Sequence, residues 1–181
     1  MTTIKDFGKI FRSNPTLQEL CRRVTEGGRR RHIALDGLNA SAVSLAMALL
    51  FDEKCCNNIL VIADDADKAG YLYFDLTQLI GSDRVAFFPA LYKHIHKSGT
   101  TVAENGILRT DSLNKISDGK PCIIVSFPDA ISEKVVPADR FASARITLTK
   151  GQEYAMSTLL DDLRNSCFEE VDFVYEVGQY S

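Results

Sequence analysis

The stretch His32-Ile33-Ala34-Leu35-Asp36-Gly37-Leu38-Asn39-Ala40-Ser41-Ala42-Val43-Ser44 has the spacing that binding a phosphate requires, with part of the chemistry removed. A working phosphate loop reads G-x-x-x-x-G-K-[ST]. Its glycines let backbone N–H groups close on the phosphate, its lysine neutralises charge, and its hydroxyl meets magnesium. Here Gly37 fills the first position and Ala42 stands where the second glycine belongs. Val43 replaces the lysine, and Ser44 keeps the hydroxyl. Valine supplies no charge, so the loop is expected to hold no triphosphate and the chain to need no cofactor. The outline is that of a nucleotide-binding scaffold that no longer binds nucleotide.

Other clusters fall short of a reactive constellation. Lys93-His94-Ile95-His96-Lys97 puts two histidines on one side of an extended segment. A metal needs a third ligand, and two flanking lysines repel a dication, so no metal site is expected. Asp64-Asp65-Ala66-Asp67 follows an apolar run. Magnesium binding is one reading; capping of the next helix is the simpler one, since carboxylates accept its free N–H groups and complement its dipole. Arg29-Arg30-Arg31, with Arg22 and Arg23 upstream, is the strong basic cluster. It is a candidate contact for a phosphate backbone or an acidic partner, or simply a solvated turn. Five cysteines (Cys21, Cys55, Cys56, Cys122, Cys167) never take C-x-x-C spacing, which points to reduced thiols rather than a zinc site or a disulfide framework. Ser41 and Ser44 lack a G-x-S-x-G elbow, and no catalytic set of serine, histidine and acid emerges.

The elements that must position the loop alternate. Ile33-Ala34-Leu35, Ile59-Leu60-Val61-Ile62-Ala63, Val85-Ala86-Phe87-Phe88 and Cys122-Ile123-Ile124-Val125-Ser126 are short apolar runs. Between them lie helical stretches at 42–51, 66–80 and 102–116, preceded by a helix at 16–25 that Asn14-Pro15 starts and Gly27-Gly28 stops. Apolar runs alternating with helices predict an α/β fold, a parallel sheet of about four strands buried on both faces. After Pro137 the pattern changes. Ala144–Thr149 alternates as a half-exposed strand, a helix follows at 155–165 with Leu159, Leu160 and Leu163 inward, and Val171–Val177 alternates again. The expected division is an α/β domain over 1–140 and a small, incomplete α+β module over 141–181. A chain of 181 residues, 45% hydrophobic and 25% charged, has room for one good core. Its net charge of −3 gives no global drive toward nucleic acid, so weak DNA binding at most is expected. No apolar run approaches the roughly 20 residues of a membrane span, nor does the start look like a signal peptide, and a cytoplasmic protein is expected.

Four segments in order resemble the N-terminal, UvrB-like region of the bacterial transcription-repair coupling factor (Mfd). They are the Gly37–Ser44 loop, Val85-Ala86-Phe87-Phe88-Pro89-Ala90, Ile123-Ile124-Val125-Ser126, and Phe168 through Ser181. The resemblance covers roughly residues 30–181. UvrB itself fits less well: its phosphate loop keeps glycine and lysine, and a long hairpin that clamps DNA follows its third strand. Residues 89–107 leave no room for that hairpin.

The resemblance implies a fold like UvrB domain 1a followed by the start of a domain-2-like module. It also implies a role. The full-length coupling factor is an ATP-dependent DNA translocase that displaces stalled RNA polymerase at lesions and recruits UvrA for nucleotide-excision repair. The fragment is expected to be non-catalytic, with the motor and the RNA-polymerase-binding module further downstream in the parent chain. UvrA is the implied partner of residues 144–181, alongside the rest of the parent chain. In relatives, arginines contact UvrA; one falls where this chain has Phe168-Glu169, and another is expected beyond Ser181. Glu169, Asp172 and Tyr180 are the candidate partner-binding residues. The alternative class is a small Rossmann-like or P-loop nucleotide-binding enzyme, which Val43 argues against.

Overall fold

A computed structural model describes residues 11–26, 32–91, 100–166, 168–176 and 178–181, with the backbone alone over 100–103. The chain divides into two compact units, Met1–Lys134 and Val135–Ser181.

In the first unit, helix α1 (Pro15–Thr25) begins where the Asn14 side chain accepts the Thr16 N–H at 2.9 Å and Pro15 takes the first helical position. Helix α2 (Ser41–Asp52) follows the Gly37 loop. Strand β1 (Asn58–Ile62), helix α3 (Ala66–Ile80), strand β2 (Val85–Phe87), helix α4 (Thr100–Ser117), strand β3 (Cys122–Ser126) and the short helix α5 (Pro128–Ser132) complete it. The three strands form one parallel sheet in the order β1-β3-β2. An α/β fold around a parallel sheet is therefore the observed architecture.

The central strand β3 matches the expectation of burial on both faces, with Cys122, Ile123, Val125 and Ser126 all buried. Ile59 and Val61 of β1, Val85 and Phe87 of β2, and Ile123 and Val125 of β3 share one face by register. Ala69, Leu76 and Ile80 of α3 pack into that cluster, and the Tyr73 ring lies 5.3 Å from that of Phe87. Phe88, whose N–H continues the ladder to the Val125 carbonyl, points to the opposite face, where the Arg109 guanidinium of α4 stacks over it.

Two expectations change here. The run Ile33–Leu35 makes no fourth strand: it has no ladder partner, and Ile33 packs instead on the second cluster formed by Leu17 and Leu20 of α1 with Ala46, Leu49 and Leu50 of α2. Ile33 has found a helical surface rather than a sheet edge, while Ala34 and Leu35 stay exposed. Strand β1 is also not buried on both faces. Leu60 and Ile62 share the α4 face, but α4 covers β2 and β3 there, leaving these two side chains 56% and 51% exposed.

The second unit holds helix α6 (Ala138–Ser143), helix α7 (Met156–Asn165) and a two-residue parallel pair, β4 (Glu169–Glu170) with β5 (Gln179–Tyr180). The expected strand at 144–149 forms no ladder: Ala144 caps α6 in helical geometry, and 145–149 take no regular structure. Its backbone is served instead by Tyr154, whose hydroxyl accepts the Thr149 N–H at 2.7 Å. In place of the expected strand at 171–177, residues 171–176 form an irregular, bent segment in which the Gln179 side-chain carbonyl accepts the Tyr175 and Glu176 N–H groups, at 3.0 and 3.1 Å. Local side-chain bonds have taken up backbone groups that a ladder would otherwise use. Leu159, Leu160 and Leu163 do share the less exposed face of α7, yet none of the described residues of this unit is buried.

Candidate functional site

The loop ahead of α2 carries its acid on the inside of the turn: the Gly37 N–H donates to the Asp36 carboxylate at 2.8 Å. Gly37 sits at φ +78°, in the left-handed region that glycine enters without cost. Ala40 sits at φ +48° and ψ −130°, where an L side chain is strained, and it opens α2 with no side-chain cap. The first N–H groups of the helix are engaged inside the loop. Ala42 donates to the Asn39 carbonyl at 3.1 Å and Val43 to the Ala40 carbonyl at 3.2 Å. In a phosphate loop, N–H groups at a helix start meet the anion.

Ser44 holds the position whose hydroxyl would meet a metal ion. It is fully buried and donates to the Asp75 carboxylate of α3 at 3.3 Å. Sequence reasoning missed Asp75; no local pattern links it to Ser44, thirty-one positions away. The loop thus offers one carboxylate, Asp36, a valine and a hydroxyl committed to Asp75 of α3, a set that disfavours a triphosphate.

The acidic run after β1 caps a helix. Asp65 is the N-cap of α3 and accepts the Lys68 N–H at 2.8 Å, while Lys68 Nζ pairs with Asp64 at 2.6 Å. That lysine holds the Asp64 carboxyl below its ordinary pKa. Arg29, Arg30 and Arg31, and the pair His94 and His96, lie outside the described residues. Among the described residues no group of three or more histidine, cysteine or acidic side chains is arranged to hold a metal ion. No described helix is long and apolar enough to cross a membrane.

In the second unit the three candidate partner residues lie on or next to the β4–β5 pair. Glu169 and Asp172 are exposed, while Tyr180 is half-buried. The Tyr180 hydroxyl donates to Glu170 at 3.2 Å, and Arg164 of α7 pairs with the same carboxylate at 2.9 Å. Arg164 is the first cause of a lowered Glu170 pKa, Tyr180 the second. Arg164 and Glu170 are thus the side chains that tie helix to strand pair, and neither was singled out by spacing. Phe173 and Tyr175 stand 70% and 84% exposed beside Asp172.

One further constellation is built into the first unit. Arg109 is buried on α4 and donates to the Pro89 carbonyl at 2.7 Å. It also lies 3.0 Å from the Glu133 carboxylate, which accepts the Leu91 N–H at 2.9 Å. Burial lowers the Arg109 pKa, and Glu133 opposes that. The clamp fixes residues 89–91 at the end of β2, where parallel α/β sheets place their sites.

The fold and the loop together define a class: a parallel α/β domain with phosphate-loop spacing and no cation in the loop. Comparison with known proteins narrows it. The chain is 32% identical over 117 residues to UvrABC system protein B of Mycoplasma pneumoniae, covering 58% of this chain and 18% of that protein. It is 24% identical over 168 residues to the Streptococcus uberis protein of the same name, and 25% identical over 166 residues to that of Streptococcus pyogenes serotype M5. Those alignments take in 86% and 84% of this chain and 25% of each relative. The chain is UvrB-like over most of its length and spans a quarter or less of these relatives. No family model matches it.

Proposed function

We propose that this chain serves the UvrABC repair system as a non-catalytic recognition region, the N-terminal part of a transcription-repair coupling factor. The observation that carries the reading is a UvrB-like sequence in which Val43 replaces the phosphate lysine, with Ser44 buried against Asp75. A relative that had kept nucleotide chemistry would need a cation there. In this proposal the partner is UvrA, met through residues 144–181, where the exposed Glu169 and Asp172 lie. Removal of stalled RNA polymerase and ATP-driven translocation belong to other parts of the parent protein.

Two titrations by calorimetry test it. ATP with magnesium should give no heat; micromolar binding would restore the nucleotide-enzyme reading. The cognate UvrA should bind, and Glu169→Arg, which restores the family's arginine character beside Phe168, should tighten that binding several-fold. If neither the chain nor Glu169→Arg binds UvrA, the recruiting role is wrong. If the chain binds and Glu169→Arg changes nothing, the contact lies away from β4.

A further inference from the structure

We infer that Cys21 and Cys55 form a thiol pair that peroxide closes into a disulfide, stapling α1 to the turn between α2 and β1. Both side chains line one open cleft, together with Arg12, Gln18, Thr25 and Glu53. Both also pack, with Cys56, against the apolar cluster that joins α1 to α2. Neither is in a disulfide.

The backbone holds the pair in place from both sides. Cys21 stands on α1, whose Leu17 and Leu20 are buried against α2. Cys55 follows a helix end in which Lys54 takes φ +54° and the Cys55 N–H reaches back to the Leu50 carbonyl at 3.0 Å. That left-handed residue followed by a six-to-one bond is a Schellman closure, so Cys55 has little freedom to turn away.

Cys55 acts directly on the Cys21 thiol. Burial, and then Cys55, push the Cys21 thiol up to about 11, with Glu53 and Cys56 adding to the rise. Cys56 is a poor rival for Cys55. Neighbouring Cα atoms are about 3.8 Å apart, below the roughly 4.4 Å minimum of ordinary disulfides. Cys122 is buried in the central strand.

The chemistry balances with hydrogen peroxide as oxidant. The thiolate of one of the pair attacks one peroxide oxygen; the O–O bond breaks, leaving a sulfenic acid on that cysteine and a hydroxide that is protonated to water. The other thiol gives its proton to solvent and attacks the sulfenic sulfur. The S–S bond forms and the S–O bond breaks, and the departing hydroxide is protonated to a second water. Two thiols and one peroxide become one disulfide and two waters.

Peroxide treatment of the full chain, alkylation of the remaining thiols and non-reducing peptide mapping by mass spectrometry test the pairing. A Cys21–Cys55 cross-linked peptide is expected, with two fewer alkylated thiols. Tm should rise by about 5–10 °C, as closure of a long loop predicts, and dithiothreitol should reverse the rise. Cys21→Ser and Cys55→Ser should each abolish cross-link and shift, and Cys56→Ser should keep both. Over-oxidation of Cys21 or Cys55 without a cross-link would overturn the inference, as would a main product linking either of them to Cys56, Cys167 or a second molecule.

Discussion

Single side chains set much of what this chain does and does not do. Ala40 has a Cβ where the loop demands a backbone that glycine adopts freely, at φ +48°. Ala40→Gly should therefore raise stability by about 1 kcal/mol, relief of strain outweighing glycine's entropy in the unfolded chain. Urea denaturation followed by circular dichroism checks this, and a lower midpoint for the variant would contradict it. Glu19 is the clearest acid of α1. Hydrogen bonds first from Arg22 and then from Arg23 hold its carboxyl near 2, against an ordinary 4.5. Arg22 also pairs with Glu26 along the same face. A depressed carboxylate contributes stability that is present above its unfolded pKa and lost as pH falls through the folded one. Helicity of α1 is therefore expected to weaken between pH 4.5 and about 2. In Glu19→Gln the acid-dependent part of the far-ultraviolet signal should shrink. An unchanged profile would mean that these exposed ion pairs add nothing measurable, as many do.

Among the elements, helix α4 is held to the end of β2 by more than packing. Ser112 donates to the Phe87 carbonyl at 2.8 Å, and Lys115 Nζ reaches the Val85 carbonyl at 2.8 Å. Arg109 adds the Pro89 carbonyl, the Glu133 carboxylate and the Phe88 ring. Removing one partner from a buried pair leaves the other charge without compensation. Arg109→Ala is expected to cost about 3 kcal/mol, more than Glu133→Gln, which keeps a side chain able to bond Leu91. Chemical denaturation of both variants and the double variant gives the coupling directly; equal and additive losses would show that the pair acts as two independent contacts. Exposed Leu60 and Ile62 belong to this scale too. They lie where no described helix covers β1, so a polar side chain at either position meets water instead of a core.

At the scale of the molecule the two units differ in how they bury apolar surface. The first has two clusters, one on the sheet and one between α1 and α2. Among the described residues of 135–181 none is buried, and Met156, Phe173 and Tyr175 are all widely exposed. With few buried contacts, the second unit should open at low free energy. Native-state hydrogen exchange should find the amides of α7 and of the β4–β5 pair exchanging at least tenfold faster than those of β3. Comparable protection in the two units would refute that difference.

Much of this fold is legible from local pattern. The Asp65 cap and apolar spacing that mark 66–80 as a helix, and the unbroken Cys122–Ser126 run, report interactions within a few residues. The loss of the phosphate lysine at Val43 is likewise a matter of side-chain type, readable without coordinates. Other features belong to distant neighbours. Ile33–Leu35 is as apolar as a strand, but whether it pairs depends on which surface reaches it first, and here that surface is α1 and α2. Ala144–Thr149 alternates, yet Tyr154 has engaged its backbone. Asp75 meets Ser44, and Cys21 meets Cys55, only because packed helices bring together residues more than thirty positions apart. Periodicity describes which side of an element is apolar; only tertiary packing decides what covers that side and which polar groups it traps together.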